Sequence, residues 1–173
     1  MKFFLFLVLS TSALADEAVS YTWWNGDDES QVWVDSRRIA KLELPKVIVK
    51  GISQSPRVTL VPVSSRAARA SLRKGMLPKS LSRNQLVFTN ARNGGVAMVL
   101  VGNVIVRLKD GVDGRAWSES HHLAIVEKIS YEPNTYIIAT AAGLPALKLA
   151  NALRIEANVK SAEPLWWMEM TRK

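Results

Sequence analysis

The strongest constraint on the fold is the order of hydrophobic periods along residues 103–173. Asn103–Lys109 (NVIVRLK) alternates apolar and polar side chains, the period of a half-buried strand, and Asp110-Gly111 closes it. Val112–His122 has room for a short helix with Trp117 facing inward. Leu123–Tyr131 (LAIVEKISY) is a second strand, Glu132-Pro133-Asn134 turns it, and Thr135–Ala141 (TYIIATA) is a third. Gly143-Leu144-Pro145 places proline in the first turn of a helix. In that helix Ala146, Leu149, Ala150, Leu153 and Ala157 recur at helical spacing as one buried stripe. Asn158–Ala162 is the fourth strand. The order β-α-β-β-α-β predicts an α+β fold, a ferredoxin-like sheet with both helices on one face. The other face of such a sheet must be polar or find a partner, and topology alone selects no function.

Upstream, residues 16–102 read as a small β-rich domain, with the boundary at Gly102. Ala18–Trp24 is apolar and aromatic, and Asn25-Gly26-Asp27-Asp28 is a strong turn signal. Gln31–Val34, Arg38–Leu44, Lys46–Lys50 and Arg57–Val63 each carry a strand pattern. Ser64 or Ser65 caps a helix that ends at Gly75, with Arg66, Arg69 and Arg73 on one face. Its apolar complement is weak, so this helix is expected to sit loosely on the surface. Gly75–Asn84 reads as a loop, and Gln85–Thr89 and Gly95–Val101 as a hairpin around Asn90–Gly94.

Residues 1–15 read as a secretory signal peptide. Lys2 is the positive start, Phe3–Leu9 the apolar run, and Ala13-Leu14-Ala15 the small-residue cleavage pattern. The expected location is therefore periplasmic or secreted. No apolar run approaches the roughly 20 residues of a membrane-spanning helix, so no integral membrane segment is expected. Apolar residues make up 48% of the chain, enough to bury a core, which excludes a disordered protein. Charge is unevenly spread: residues 16–43 sum to −4, residues 44–109 to +12 with no acid at all, and residues 110–173 to −1. The basic block is either a solvated face or a docking surface for an anionic envelope component.

Enzyme chemistry finds no support in the residues. The absence of cysteine removes disulfides, thiolate metal sites and thiol nucleophiles together. None of the G-x-S-x-G, H-E-x-x-H, Walker or G-x-G-x-x-G patterns occurs. The two histidines, His121 and His122, are adjacent, so their side chains diverge and make a poor metal pair. No cofactor, metal or catalytic residue is predicted. Nucleic acid is not an expected partner either, because the first strand of the ferredoxin-like unit lacks the aromatics on which bases stack.

The end of the chain is unusual. Glu163-Pro164-Leu165-Trp166-Trp167-Met168-Glu169-Met170-Thr171-Arg172-Lys173 sets two tryptophans beside two methionines, ahead of a dibasic pair. Either the tryptophans extend the last strand and pack on the upstream domain, or they face a partner.

Taken together, NVIVRLKDG, EKISYEPNTYIIATAAG and LPALKLANALRIEANVKSAEP resemble the propeptide domain of subtilisin-like serine proteases over residues 103–168. The segment YTWWNGDDESQVWVDSRRIAKLEL resembles the opening of some longer subtilase propeptides. A secreted chain carrying such a domain without a protease is similar to the external chaperones of secreted kexin-like serine proteases. The resemblance implies a non-enzymatic chaperone and inhibitor acting in trans on a subtilisin-like, kexin-like secreted serine protease. It implies that the open sheet face of residues 103–167 docks on protease surface helices, with the Glu163 carboxylate at their N-termini. It further implies that the tail, residues 168–173, enters the active-site cleft as a β-strand. The protease-binding residues implied are Glu163, Trp166, Trp167, Met168, Glu169, Met170, Thr171, Arg172 and Lys173. Arg172-Lys173 is what a dibasic-specific pocket selects.

Overall fold

Among the described residues, alternation of apolar side chains, backed by β-branched residues, sets eight strands that join one sheet by antiparallel pairings, with three α-helices packed on it. The fold is thus α+β. These coordinates come from a computed structural model, in which residues 18–43 and 56–170 are described. The signal peptide expected over residues 1–15, the strand expected at Lys46–Lys50, and Thr171, Arg172 and Lys173 lie outside the described residues.

The first hairpin forms where the turn signal stands. β1 (Ser20–Asn25) pairs with β2 (Asp28–Glu43), and Gly26 at φ +60° supplies the left-handed conformation that the two-residue turn needs. Sequence periodicity reads β2 as two strands; the structure has one strand of 16 residues. The interruption is a bulge, since its register with β4 (Gln85–Thr89) shifts between Val34 and Ile39. The bulge is held by Asp35, whose Oδ1 accepts from the backbone N–H of Arg37 at 2.9 Å. β1 and β3 (Arg57–Pro62) lie end to end along one edge of β2, and β4 lies along the other.

α1 (Arg66–Arg73) starts at Ser65, whose Oγ accepts from the Ala68 N–H. Leu72 is its one fully buried side chain, which fits a helix attached by a narrow stripe. The loop expected over Gly75–Asn84 contains a 3-10 turn at Lys79–Leu81.

The strands expected on either side of Gly102 are a single strand, β5 (Ala97–Leu108). It kinks at Gly102 and Asn103, with φ +95° and +64°, conformations favoured by glycine and tolerated by asparagine. A Cβ at Gly102 would lie 3.0 Å from the Thr140 carbonyl oxygen, so close backbone approach also selects glycine there. Before the kink β5 pairs with β4; after it, with β7 (Thr135–Ile138). β8 (Val159–Met168) follows the opposite edge of β5 through both halves. The expected boundary at Gly102 coincides with the kink, and backbone pairing runs through it.

β6 (Ile125–Lys128) pairs with β7 and is shorter than the strand expected over Leu123–Tyr131. α2 (Gly114–Ser120) is capped by Asp113, whose Oδ1 accepts from the Ala116 N–H at 2.8 Å, and buries Trp117 as expected. α3 (Leu144–Arg154) carries proline in its first turn. Its buried residues are Ala146, Leu147, Ala150 and Leu153. Ala157, expected in the stripe, lies past the helix end and is exposed.

The core divides between the two halves of β5 on the helix-bearing face, with a third cluster on the other face. Val104, Val106 and Leu108 pack with Trp117, Tyr136, Ile138 and the α3 stripe. Val32, Phe88, Met98 and Leu100 pack with Leu72 of α1 and Leu147 of α3. Leu147, absent from the expected stripe, therefore ties α3 to the upstream strands. On the opposite sheet face Ala40, Val87, Ala97 and Val99 form a third cluster, with Trp167 against it.

Candidate functional site: the last strand and its exposed end

Of the residues implied as protease-binding, Glu163, Trp166, Trp167 and Met168 lie on β8 and Glu169 and Met170 follow it, and the strand's period of two deals those on β8 to opposite faces. Register puts Trp166 opposite Leu100 and Trp167 opposite Val99. Trp166 accordingly joins the core around Phe88. Its ring stands edge-on to Trp23 at 5.5 Å and to Phe88 at 5.6 Å between centroids. Its indole Nε1 is buried and has no hydrogen-bond partner among the described residues. Trp167 packs on the third cluster. Both tryptophans thus extend the last strand and pack against upstream strands, one of the two arrangements open from the sequence.

Glu163 is half-buried and its Oε1 accepts from the Gly26 N–H at 2.9 Å. The tip of the first hairpin is held to the same place by α3. Arg154 donates to the Gly26 carbonyl and lies 3.9 Å above the Trp24 ring, and Asn151 Nδ2 donates to the Thr22 carbonyl at 2.9 Å. One carboxylate oxygen of Glu163 is thereby engaged within the chain, while a carboxylate has further acceptor sites on its second oxygen.

Pairing ends at Met168 opposite Met98, followed by one more bond from the Glu169 N–H to the Ala97 carbonyl at 2.9 Å. Beyond that point Met170 is 90% exposed, and Met168 is 49% exposed. Glu169 Oε2 meets Arg38 Nη1 at 3.3 Å. Arg38 also donates from Nε to Asp35 Oδ2 at 2.7 Å, and Arg37 Nε reaches Asp35 Oδ1 at 3.2 Å. Glu163 and Glu169 are six residues apart on an extended chain, about 20 Å, so they belong to opposite ends of β8.

Asp35, Arg38 and Arg154 carry no site expectation in the sequence, and Gly26 is expected there only as a turn residue. The available signal was the polar run Asp35-Ser36-Arg37-Arg38 interrupting an alternating strand, which marks a bulge with a charge network as readily as a strand end.

Burial of Asp35 by itself raises its carboxyl pKa. The Arg37 N–H and the Arg38 and Arg37 guanidinium groups outweigh burial, leaving the pKa below the ordinary aspartate value. A depressed folded-state pKa adds stability that is fully present above the unfolded value of about 3.9 and is lost as pH falls through the folded value. Asp35→Asn is expected to destabilise the protein by about 1–3 kcal/mol at neutral pH. It should also flatten the decline of stability below about pH 4. Urea unfolding of both proteins at neutral and acidic pH checks this; equal acid sensitivity would contradict it.

The face of β8, β5, β7 and β6 opposite α2 and α3 has its own character. Val104 and Val106 point to the helices, so Ile105 and Arg107 point away. Ile105 pairs with Ile137 on one side and Glu163 on the other, and Leu165 lies next on the same face of β8. Ile105, Ile137 and Leu165 are each half-buried, a row of partly accessible apolar side chains bordered by a carboxylate. No helix among the described residues is long and apolar enough to cross a membrane. Comparison with family models, curated proteins and solved structures finds no match for this chain.

Proposed function

We propose that this chain is a secreted, non-enzymatic chaperone and inhibitor of a subtilisin-like serine protease, acting in trans in the manner of the external chaperones of kexin-like enzymes. The order β6–β7–β5–β8, with α2 and α3 sharing a core on one face, supports reading residues 103–168 as a ferredoxin-like βαββαβ unit. The observation that carries the functional reading is the opposite face. Its row Ile105–Ile137–Leu165, with Glu163 in register, offers apolar area and one carboxylate to a helical partner surface. Helix N-termini present unpaired N–H groups and partial positive charge, which is what a carboxylate at the edge of an apolar patch recognises. Met170, exposed past the last described sheet bond at Glu169, begins the segment that would pair with a cleft as an added strand.

The test is inhibition of a kexin-like subtilase by residues 16–173 beside a chain ending at Met168. Because Met168 is the last paired residue of β8, the shorter chain keeps the sheet. Its thermal midpoint should change little while its inhibition constant rises by about tenfold or more. Equal inhibition by the two chains would rule out insertion of the tail.

The second reading is a module that binds an anionic envelope polymer through the basic block. It is favoured by α1, which exposes Arg66 and Arg73 and has no acid in its first turn. Salt-sensitive binding to such a polymer, without inhibition of any subtilase, would select it.

A further inference from the structure

Arg38 occupies an uncommon position. It stands at the end of the β2 bulge with its Nε on the buried Asp35 carboxylate, and its Nη1 is turned to Glu169 across a sequence separation of 131 residues. Glu169 is the first residue after β8, and among the described residues its own N–H makes the last hydrogen bond to the sheet. The residue after it is almost fully exposed. The place where the chain leaves the sheet is thus fastened twice: through the backbone to β5, and through a side chain to a charge network in the upstream strands. Asp35 is buried with both carboxylate oxygens engaged, so it fixes the Arg38 guanidinium on the side away from Glu169. A guanidinium held through one nitrogen loses less conformational freedom on meeting a second carboxylate.

We propose that Arg38 is a positioning residue that clamps Glu169 at the end of β8, so that Met170 leaves the sheet at one place and in one direction. This rests on the inhibitor reading above and gives the upstream strands a part in it. Strand β2 carries the clamp, and the propeptide-like unit carries the docking face. An extended segment entering a cleft binds through a row of main-chain hydrogen bonds, so its entry point and direction decide how many of those bonds form.

The experiment uses the chain of residues 16–173 and the variants Arg38→Met and Glu169→Gln, with two readouts. Hydrogen exchange at the Glu169 amide reports the clamp without any protease. Inhibition of a kexin-like subtilase reports its consequence. Both variants are expected to speed Glu169 exchange, and both to raise the inhibition constant, by about 3- to 5-fold, the scale of a partly exposed ion pair. Glu169→Gln should do so with an unchanged thermal midpoint, since Glu169 is exposed; this separates the effect from any unfolding caused by Arg38→Met. Unchanged exchange in both variants overturns the clamp. Faster exchange with unchanged inhibition, against a wild-type chain that inhibits, overturns the positioning role. A wild-type chain that inhibits no subtilase overturns the inhibitor reading, and the positioning role with it, while the exchange result still decides whether the clamp itself exists.

Discussion

Trp166→Ala is expected to lower the unfolding free energy by about 3 kcal/mol, with a matching fall in the urea midpoint. The ring is shared between Trp23 and Phe88 in edge-on contacts, and Phe88 is completely buried. Removing the indole therefore leaves a cavity in the core that joins β8 to the upstream strands. Aromatic pairs in this geometry add about 0.5–1.5 kcal/mol beyond the area they bury. Trp166→Phe should cost less, below about 1.5 kcal/mol, because the indole Nε1 has no acceptor among the described residues and no hydrogen bond is lost. The result separates two roles for one residue. A tryptophan acting as a client anchor would show lost inhibition with an unchanged urea midpoint. An unchanged midpoint in Trp166→Ala would contradict the packing described here.

The second large effect concerns where the chain can be shortened. Ending it after Pro164 removes Trp166–Met168 from Met98–Leu100 of β5. That withdraws two indole rings and bares one edge of the strand that both halves of the sheet share. Met98, Val99 and Leu100, all buried in the intact chain, lose part of their cover. Fully burying one such side chain is worth about 1.5–3 kcal/mol. The combined loss is thus of the same order as the typical total stability of about 5–15 kcal/mol. The fragment ending at Pro164 is expected to lose its cooperative thermal transition and become protease-sensitive. The chain ending at Met168, only four residues longer, should retain both properties. Circular dichroism melts of the pair decide the matter, and a cooperative transition in the shorter fragment near that of the longer would show that this end of β8 is dispensable. The contrast also guards the inhibition experiment. Activity lost on cutting after Met168 can be assigned to the tail only because the fold survives that cut.

Much of the element order is legible from local pattern. The Asn25–Asp28 turn, the Ser65 cap, the short helix with Trp117 inward, and the proline-started α3 each appear where the residues place them. These features depend on interactions within a few residues, so a sequence window contains their cause. The errors share a different origin. β2 reads as two strands because Asp35 and its neighbours are polar, yet the bulge keeps the chain in the sheet once Asp35 is satisfied by Arg37 and Arg38. β5 reads as two strands because Gly102 and Asn103 interrupt its alternation, yet β8 pairs with both halves. Leu147 is left out of the α3 stripe because the stripe is drawn for one core, and the helix serves two.

The candidate site follows the same division. From its residues alone, the chain determined that its end is aromatic and charged, that its last strand follows a proline-started helix, and that the sheet has a face without helices. Only the tertiary structure decided what those residues touch. The Trp166 ring points to Phe88 because the register with β5 sets it opposite Leu100. Glu163 meets Gly26, and Glu169 meets Arg38, across separations of 137 and 131 residues. No local period encodes such pairs. They arise when β8 takes its place beside β5 and meets the first hairpin and β2, and the free energy of that placement comes from burying apolar side chains, Trp166 and Trp167 included, rather than from the Glu163 and Glu169 contacts.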